Sequence, residues 1–249
     1  MKLVVGDAKQ FKQCIEAIVN LVDEGTFNVS ATGLKFRSMD PSQIAMVDFT
    51  MPKEAFLEFT APNEANVSLN LADFLKMLGR SRNDEQLIMQ VEEEQSKFAL
   101  EFTGPNAKRS VRLPLLDLGG NQPREPKVPF DSTVKMRGGS FKEMLKDAGL
   151  LSSHVILQAE PEMFTVEAKG DSGDLKVETK KDAPTMAELA SNAKSRSMFP
   201  FEYMDNICKA CPDDTIIEVG LKTDAPVRVS YKIGGAQLAY FLAPRVESA

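Results

Sequence analysis

Cysteine is scarce in this 249-residue sequence, which contains only Cys14, Cys208 and Cys211. Three cysteines are too few and too unevenly placed for the disulfide framework of many secreted domains. Long hydrophobic runs are scarce as well. No stretch approaches the ~18 apolar residues of a membrane-spanning helix, and the first residues lead into a strand-like segment instead of a signal-peptide core. We therefore expect a protein of the reducing cytoplasm.

Catalytic and nucleotide-binding motifs are scarce too. His154 is the only histidine, and no serine or cysteine motif beside it suggests a nucleophile with its base. Neither GxxxxGK[ST] nor GxGxxG occurs. Cys208 and Cys211 form a CxxC pair without the second pair that a zinc site needs; because they continue an apolar helix face, we interpret them as core residues. We interpret Glu92–Glu94 as a solvated hairpin turn rather than a metal site.

Positive charge is in the minority, since 30 Lys and Arg stand against 36 Asp and Glu and the net charge is −6. No global basic character indicates a nucleic-acid-binding protein. A content of 43% hydrophobic and 27% charged residues is that of an ordinary soluble globular protein. The length allows one large domain or two of ordinary size.

The second half of the sequence repeats the first at a constant offset. Phe11-Lys12 matches Phe141-Lys142, and Ser68–Met89 aligns with Met198–Val219 at the same offset and with the same hydrophobic pattern. Several matches at one offset indicate an internal duplication.

A stretch rich in proline separates the two halves. Asp117–Phe130 has the sequence DLGGNQPREPKVPF, with two glycines and three prolines. Proline fixes φ and removes a hydrogen-bond donor, so this stretch is expected to be an extended connector. We therefore predict an N-terminal domain over residues 1–116, a connector over 117–130 and a C-terminal domain over 131–249.

Hydrophobic periodicity predicts two short amphipathic helices in each half. Their apolar faces span Phe11–Val22, Leu71–Leu78, Phe141–Ala148 and Phe201–Cys211. Alternating or β-branched runs predict antiparallel strands with one face under the helices. Such runs include Lys2–Val5, Thr26–Val29, Gly33–Arg37, Ile44–Phe49, Gln86–Val91, Phe98–Phe102, Thr215–Val219 and Val227–Ile233. The polar stretch Lys180–Ser197 is expected to be an exposed loop.

Each predicted helix offers at least one cation on its polar face. These cations are Lys9, Lys12, Lys76, Arg80, Lys142, Lys146 and Lys209. Lysines on a solvated helix face are commonplace and indicate little alone. If the duplicated helices are equivalent, however, they present a repeated positive surface that suits a phosphate backbone without reading its sequence.

Three strings resemble the proliferating cell nuclear antigen family. RSMDPSQIAMVDF (Arg37–Phe49) resembles its central-loop strand, YFLAPRVES (Tyr240–Ser248) its C-terminal segment, and SLNLADFLKMLGR (Ser68–Arg80) its second helix. The resemblance covers essentially the whole chain, and its details look archaeal. It implies an α+β DNA clamp (processivity) fold, in which two similar domains each place two helices on antiparallel sheets. The resemblance also implies that three chains of this kind assemble into a pseudo-sixfold ring.

The resemblance implies a sliding clamp and polymerase processivity factor, not an enzyme, without cofactor or metal. The expected partners are duplex DNA, further copies of the chain in a homotrimer, a clamp loader, a replicative DNA polymerase, a flap endonuclease and a DNA ligase, with no membrane. An archaeal clamp would be associated with the nucleoid. The alternative is one subunit of a heterotrimeric or checkpoint-type ring that acts as an interaction scaffold. An enzyme such as a metal-dependent nuclease has almost no support in the sequence.

Two further surfaces follow from the resemblance. Client proteins would insert a short motif with hydrophobic anchors into a pocket formed by Met39, Ile44, Met46, Leu118, Val128, Phe130, Pro226, Tyr240, Leu242, Ala243 and Pro244. Subunits would join by edge-to-edge pairing of Lys108–Leu113 with Gly173–Thr179 of the next copy. The expected interface residues are Arg82, Lys108, Arg109, Val111, Arg112, Asp147, Leu175, Val177 and Glu178, with Arg109, Arg112 and Arg82 pairing with Glu143, Asp147 or Glu178 across the seam.

Overall fold

The computed structural model describes residues 1–61, 64–119 and 122–245 of the chain. They form two compact units, and neither unit is a single continuous piece of sequence. Unit 1 consists of Met1–Pro41, Val47–Pro123 and Ile233–Leu238, and unit 2 of Ser42–Met46, Arg124–Lys232 and the residues from Ala239 onward.

The first half of the chain supplies two helices and nine strands among the described residues. In chain order they are β1 (Lys2–Val5), α1 (Ala8–Val19), β2 (Glu24–Ser30), β3 (Gly33–Met39), β4 (Ala45–Pro52), β5 (Glu58–Thr60), β6 (Glu64–Asn70), α2 (Leu71–Leu78), β7 (Gln86–Glu92), β8 (Lys97–Thr103) and β9 (Lys108–Pro114). One antiparallel sheet has the order β5-β1-β7-β8-β9, and β4, β3, β2 and β6 are successive neighbours in another. A 3₁₀ turn at Glu93–Gln95 joins β7 to β8, which confirms the predicted hairpin turn.

The described part of the second half has the same number of helices and strands. They are β10 (Ser132–Arg137), α3 (Gly138–Gly149), β11 (His154–Glu160), β12 (Met163–Gly170), β13 (Gly173–Lys180), β14 (Met186–Ser191), β15 (Ser195–Pro200), α4 (Phe201–Lys209), β16 (Ile216–Leu221), β17 (Val227–Ile233) and β18 (Ala236–Leu242). One antiparallel sheet has the order β13-β12-β11-β15, and β14, β10, β16, β17 and β18 are successive neighbours in another.

The duplication inferred from the sequence is confirmed in the fold. The first and last residues of α3 correspond to those of α1 at the offset that matches Phe141 to Phe11. The first and last residues of β11 correspond to those of β2 at the same offset. The strand order β5-β1-β7-β8-β9 in the first half corresponds to β14-β10-β16-β17-β18 in the second, and β4-β3-β2-β6 corresponds to β13-β12-β11-β15. The repeat therefore extends to topology in regions where the two halves share few identical residues.

Aromatic side chains fill the space between the helices and sheets of unit 1. The ring of Phe74 in α2 lies 6.3 Å from Phe11 in α1, 6.5 Å from Phe27 in β2 and 5.8 Å from Phe98 in β8, in edge-on contacts that aromatic pairs favour. In unit 2, Phe141 of α3 and Phe164 of β12 pack together, with ring centroids 6.2 Å apart. The predicted apolar helix faces are thus the faces that cover the sheets.

Local signals fix the helix positions. The carboxylate of Asp7 accepts hydrogen bonds from the N–H groups of Lys9 and Gln10 at the start of α1, and the side chain of Asn70 accepts from the N–H of Asp73 in α2. Such caps satisfy N–H groups that have no partner within the helix. At the end of α3, a Cβ on Gly149 would overlap the Phe201 ring, so glycine permits close contact between α3 and α4.

One prediction about local structure was wrong. Lys180–Ser197 was expected to be an exposed loop, but it contains β14 and the start of β15. Met186 and Leu189 of β14 are buried against the rest of unit 2, while the strand's other residues are more exposed. A short edge strand with only two core residues carries too weak an alternation to be recognised.

Candidate nucleic-acid and partner-binding surfaces

The two helices of each unit lie side by side, α1 against α2 and α3 against α4. The cations predicted to face DNA are located on these helices or directly after α2. Lys9, Lys76, Arg80, Lys146 and Lys209 are exposed, whereas Lys12 and Lys142 are half-buried.

Most of these cations have an acidic or polar neighbour. Lys12 lies 3.3 Å from Glu16, Lys76 3.0 Å from Asp73 and Lys146 2.7 Å from Glu143, each within its own helix. Lys9 donates to the side-chain oxygen of Asn83. Exposed pairs of this kind contribute about 0.2–1 kcal/mol, so they exchange easily with another anion. Among the described residues, no hydrogen bond uses the side chain of Arg80 or of Lys209.

Lys142 differs from the other predicted DNA-facing cations. Its ammonium group lies 2.5 Å from the Asp213 carboxylate and donates to the Cys211 carbonyl at 2.6 Å. The hydrogen bond and charge of Lys142 lower the pKa of Asp213. Lys142 thereby ties α3 to the turn after α4, which gives it a structural role.

The four helices together carry as many carboxylates as ammonium groups. Their lysines are Lys9, Lys12, Lys76, Lys142, Lys146 and Lys209. Their acids are Glu16, Asp73, Glu143, Asp147, Glu202 and Asp205. The helices are therefore formally neutral, and they do not produce a strongly attractive electrostatic field for DNA.

Both segments predicted to join subunits are edge strands. Strand β9 ends the sheet β5-β1-β7-β8-β9, and β13 ends the sheet β13-β12-β11-β15. Val111 on β9 and both Leu175 and Val177 on β13 are half-buried, and charged residues alternate with them. Unpaired N–H and C=O groups on such an edge can pair with another strand.

The charged residues of these edges make ion pairs within the chain. Arg109 binds Glu85, and Arg112 lies 2.9 Å from Glu92; neither acid was among the partners expected for these arginines from the sequence. Lys108 lies 2.7 Å from Glu101, and Glu178 lies 2.6 Å from Lys176. Arg82 is exposed and its backbone N–H donates to Glu85, while Asp147 is exposed on α3. Arg109 and Arg112 thus have acidic partners within the chain, and their expected pairing across a seam, with that of Arg82, stays a prediction.

The second half of the connector forms one wall of a groove in unit 2 with a volume of about 510 Å³. The groove is lined by Glu125, Pro126, Lys127, Val128, Pro129, Phe130, Arg228 and Phe241. The Phe130 ring rests on the backbone of β16, where a Cβ on Gly220 would come within 2.9 Å of it. Lys222 donates to the Pro129 carbonyl at 3.4 Å and holds this end of the connector.

Strand alternation separates Tyr240 from this groove. Tyr240 is fully buried, and its hydroxyl lies 3.0 Å from that of Tyr231, which donates to the Ile207 carbonyl of α4. Tyr240 therefore faces the helices, and Leu242 is equally buried two residues later. Phe241, which was not among the predicted pocket residues, is the residue of β18 that lines the groove. Successive side chains of a strand point to opposite faces, so Tyr240 and Phe241 lie on opposite faces of β18.

The other residues of the predicted client pocket divide between the units. Ile44, Met46, Val128, Phe130, Pro226, Ala243 and Pro244 belong to unit 2. The Ala243 N–H donates to the Ile44 carbonyl at 2.9 Å, which fixes Ala243 beside the residue that precedes β4. Met46 is buried. Met39 and Leu118 belong to unit 1, where Leu118 lines a separate polar groove of about 220 Å³.

Cys208, Cys211 and His154 carry side chains that can act in catalysis, but in this fold they are buried or contact other residues of the protein. Cys208 and Cys211 are buried, which confirms their interpretation as core residues, and burial raises the pKa of Cys211 to about 12. The Nε2 atom of His154 lies 2.6 Å from Nη1 of Arg245. Among residues 1–61, 64–119 and 122–245, no group of three His, Cys, Asp or Glu side chains is arranged to hold a metal. No helix within these ranges is long and apolar enough to cross a membrane.

A duplicated pair of units, each with two helices on antiparallel sheets, defines the class of DNA clamp folds. The family model described as the N-terminal domain of proliferating cell nuclear antigen matches residues 1–121, and the C-terminal model matches residues 125–246. The chain belongs to the proliferating cell nuclear antigen family.

Relatives and solved structures agree with this assignment. The chain is 32% identical over 245 residues to a DNA polymerase sliding clamp of Methanococcus vannielii, covering 97% of this chain and 98% of that one. It is 32% identical to a sliding clamp of Thermofilum pendens, covering 99% and 100%. The structure of A. fulgidus PCNA with the C-terminal region of FEN-1 bound has a TM-score of 0.88 at 26% identity, covering 100% of this chain and 99% of that one. A Thermococcus kodakaraensis PCNA structure has a TM-score of 0.93 at 23% identity, covering 98% and 99%, and so shares the fold.

Proposed function

We propose that this protein is a DNA polymerase sliding clamp. Three copies close into a ring around duplex DNA and hold a polymerase, a flap endonuclease and a ligase on it, after an ATP-driven loader has opened the ring. The chain itself catalyses no reaction. The observation that carries the proposal is the match of both halves to the clamp domains of one family.

Neutral helix surfaces suit this function better than a basic patch would. A protein held on DNA by phosphate contacts loses affinity steeply with salt and must break those contacts in order to move. Because six lysines are balanced by six acids, the helices can contact the phosphate backbone of DNA weakly. Lys9, Lys12, Lys76, Arg80, Lys146 and Lys209 are the proposed contacts, and retention comes from ring closure.

Subunits join, on this proposal, by pairing of β9 with β13 of the next copy. Both are edge strands, and each leaves apolar side chains half-buried in the isolated chain, Val111 on β9 and Leu175 and Val177 on β13. Pairing would remove both exposed edges, and because the contact is heterologous it must either close a ring or form a filament.

Client proteins are proposed to bind the groove under residues 125–130. Its apolar lining from Val128, Phe130 and Phe241 suits the hydrophobic anchors of a short peptide. The C-terminal region of FEN-1 bound to A. fulgidus PCNA, a relative of this chain, supports a client peptide as the occupant. The proposed domain division is 1–116, 117–130 and 131–249, in which the connector supplies this wall of the groove.

The assembly is tested by the mass of the protein in solution. Sedimentation equilibrium is expected to give three times the 27.4 kDa mass of one chain. Val111→Lys and Val177→Lys are each expected to reduce this to the mass of one chain, because a charge would enter the paired edge. Ile216→Lys, at a strand residue that is 42% exposed, is the matched control and leaves the trimer intact. A monomer or dimer for the unaltered chain favours a heterotrimeric ring and overturns the homotrimer.

A further inference from the structure

Two cations stand at the rim of the connector groove with unused hydrogen-bond donors. Arg228 on β17 lines the groove and donates through Nη1 to Glu218 at 3.0 Å. Among the described residues, no hydrogen bond uses its Nε or Nη2 atoms, nor the ammonium group of the exposed Lys127 on the connector. Both groups therefore have donors available to a molecule that enters the groove.

The acids around Arg228 are already engaged. Glu218 is shared with Lys135, whose ammonium group lies 3.8 Å from it and 2.7 Å from Glu188. Charges thus alternate across β14, β10, β16 and β17 on one sheet face, and the row ends with Arg228 at the groove. Glu125 is the one acid among the lining residues of this groove.

We propose that Lys127 and Arg228 select client peptides that carry a carboxylate beside their hydrophobic anchors. This inference rests on the proposed function, since it assigns a chemical preference to the same groove. A guanidinium with two free donors can bind a carboxylate by two parallel hydrogen bonds. The adjacent apolar walls lower the local dielectric constant, so this guanidinium–carboxylate pair is more stabilising than the same pair in open solvent. The occupant is an extended peptide with apolar anchors and one acidic residue between or next to them.

Synthetic peptides test this preference on the unaltered protein. One reference peptide carries leucine and phenylalanine anchors with glutamine at all flanking positions, and in each other peptide one of these glutamines is replaced by glutamate. We expect at least one glutamate peptide to bind about threefold to fivefold more tightly than the reference at 50 mM salt. The advantage should disappear at 500 mM salt, because screening weakens such pairs. Equal affinity for every peptide in the series overturns the proposal.

Variants of the protein identify the groups responsible. Lys127→Gln and Arg228→Gln together are expected to abolish the advantage of glutamate while the reference peptide binds as before; Arg228→Lys retains part of it. Lys232→Gln is the matched control, because Lys232 is exposed on the same face of β17 but does not line the groove. An advantage that survives in the double variant also overturns the proposal.

The outcomes distinguish a failure of the carboxylate preference from a failure of the client-groove assignment. If the reference peptide binds the unaltered protein and Phe241→Ala abolishes that binding, the client groove stands whatever the glutamate series shows. If no peptide binds, both the groove and the carboxylate preference are rejected. Thermal unfolding of each variant shows whether a loss of binding reflects a loss of folding.

Discussion

The guanidinium of Arg109 grips the buried carboxylate of Glu85. Its Nη2 atom lies 2.6 and 2.9 Å from the two carboxylate oxygens and donates to the Arg80 carbonyl at 3.0 Å. The guanidinium also lies over the Phe102 ring, 5.1 Å from its centroid. Glu85 accepts a further hydrogen bond from the Arg82 N–H at 2.6 Å. The pair thus fastens the edge strand β9 to the loop after α2.

Glu85→Gln is expected to lower the free energy of unfolding by about 1.5–3 kcal/mol at pH 7, the usual worth of hydrogen bonds to a charged group. Burial alone would raise the pKa of Glu85, but hydrogen bonds from Arg109 and Arg82 and their charges hold this pKa below its usual value. The stabilisation is therefore present above the pKa of an unfolded glutamate and is lost as pH falls through the lowered value. Denaturant titrations from pH 7 to pH 3 measure it, and Glu94→Gln is an exposed control. Equal pH dependence in Glu85→Gln and the unaltered protein would contradict this account.

His154 makes the contacts of Arg245 sensitive to pH. Burial and the charge of Arg245 lower the pKa of His154 below its usual 6.5, and the Arg245 N–H donates to the Met198 carbonyl at 2.8 Å. The unfolded chain then binds more protons than the folded one, so stability falls as pH drops below about 6.5. Protonation places two cations together, and we expect faster hydrogen exchange at Arg245 at pH 5 than the change in pH alone gives. His154→Gln should remove this excess, and an unchanged excess would rule out the histidine as its source.

Lys142 and Lys146 are predicted to behave differently although they share α3. Lys142→Ala removes the hydrogen bond to Cys211 and the ion pair with Asp213, and is expected to cost about 1 kcal/mol of stability. Lys146→Ala, at an exposed helix position, should leave the unfolding midpoint unchanged but weaken loading onto DNA at low salt, where contacts with phosphates are least screened. Calorimetry and DNA loading of the two variants provide the comparison. If Lys142→Ala unfolded at the same midpoint as the unaltered protein, the structural role assigned to Lys142 would be wrong.

Adjacent residues of β18 are predicted to have opposite effects. Phe241→Ala should abolish binding of client peptides, because it removes one wall of the groove. Tyr240→Phe removes a hydroxyl that lies 3.0 Å from Tyr231 and should cost about 1 kcal/mol of stability with peptide affinity unchanged. Isothermal titration and thermal unfolding of both variants make the comparison. If Tyr240→Phe lowered peptide affinity as much as Phe241→Ala, the assignment of the two faces would be wrong.

Hydrophobic periodicity and the internal duplication predicted most of the fold. The apolar faces of α1 to α4 and the alternating strands were readable because burial of one face imposes a regular spacing of apolar residues. Strand β14 was missed, since only Met186 and Leu189 mark it as buried. The difference between Tyr240 and Phe241 was not predictable for another reason: both are aromatic, and only strand register decides which of them faces the helices.

Pairings between distant residues could not be predicted from the sequence. Glu85 and Glu92 are 24 and 20 positions from the arginines that bind them, and nothing in composition distinguishes them from solvated acids. Lys142 was likewise indistinguishable from Lys146 until the turn at Cys211 and Asp213 was located. Such contacts depend on how strands and loops meet, which one sequence does not specify.

Retention on circular DNA tests the central claim most directly. Protein loaded by a clamp loader onto nicked circular duplex is washed with 0.5 M salt, and a restriction enzyme then linearises half of the sample. Because closure rather than charge holds the protein, we predict that it stays on the circles and leaves the linear molecules through their ends. Equal retention on both forms, or complete loss from the circles in salt, would contradict encirclement.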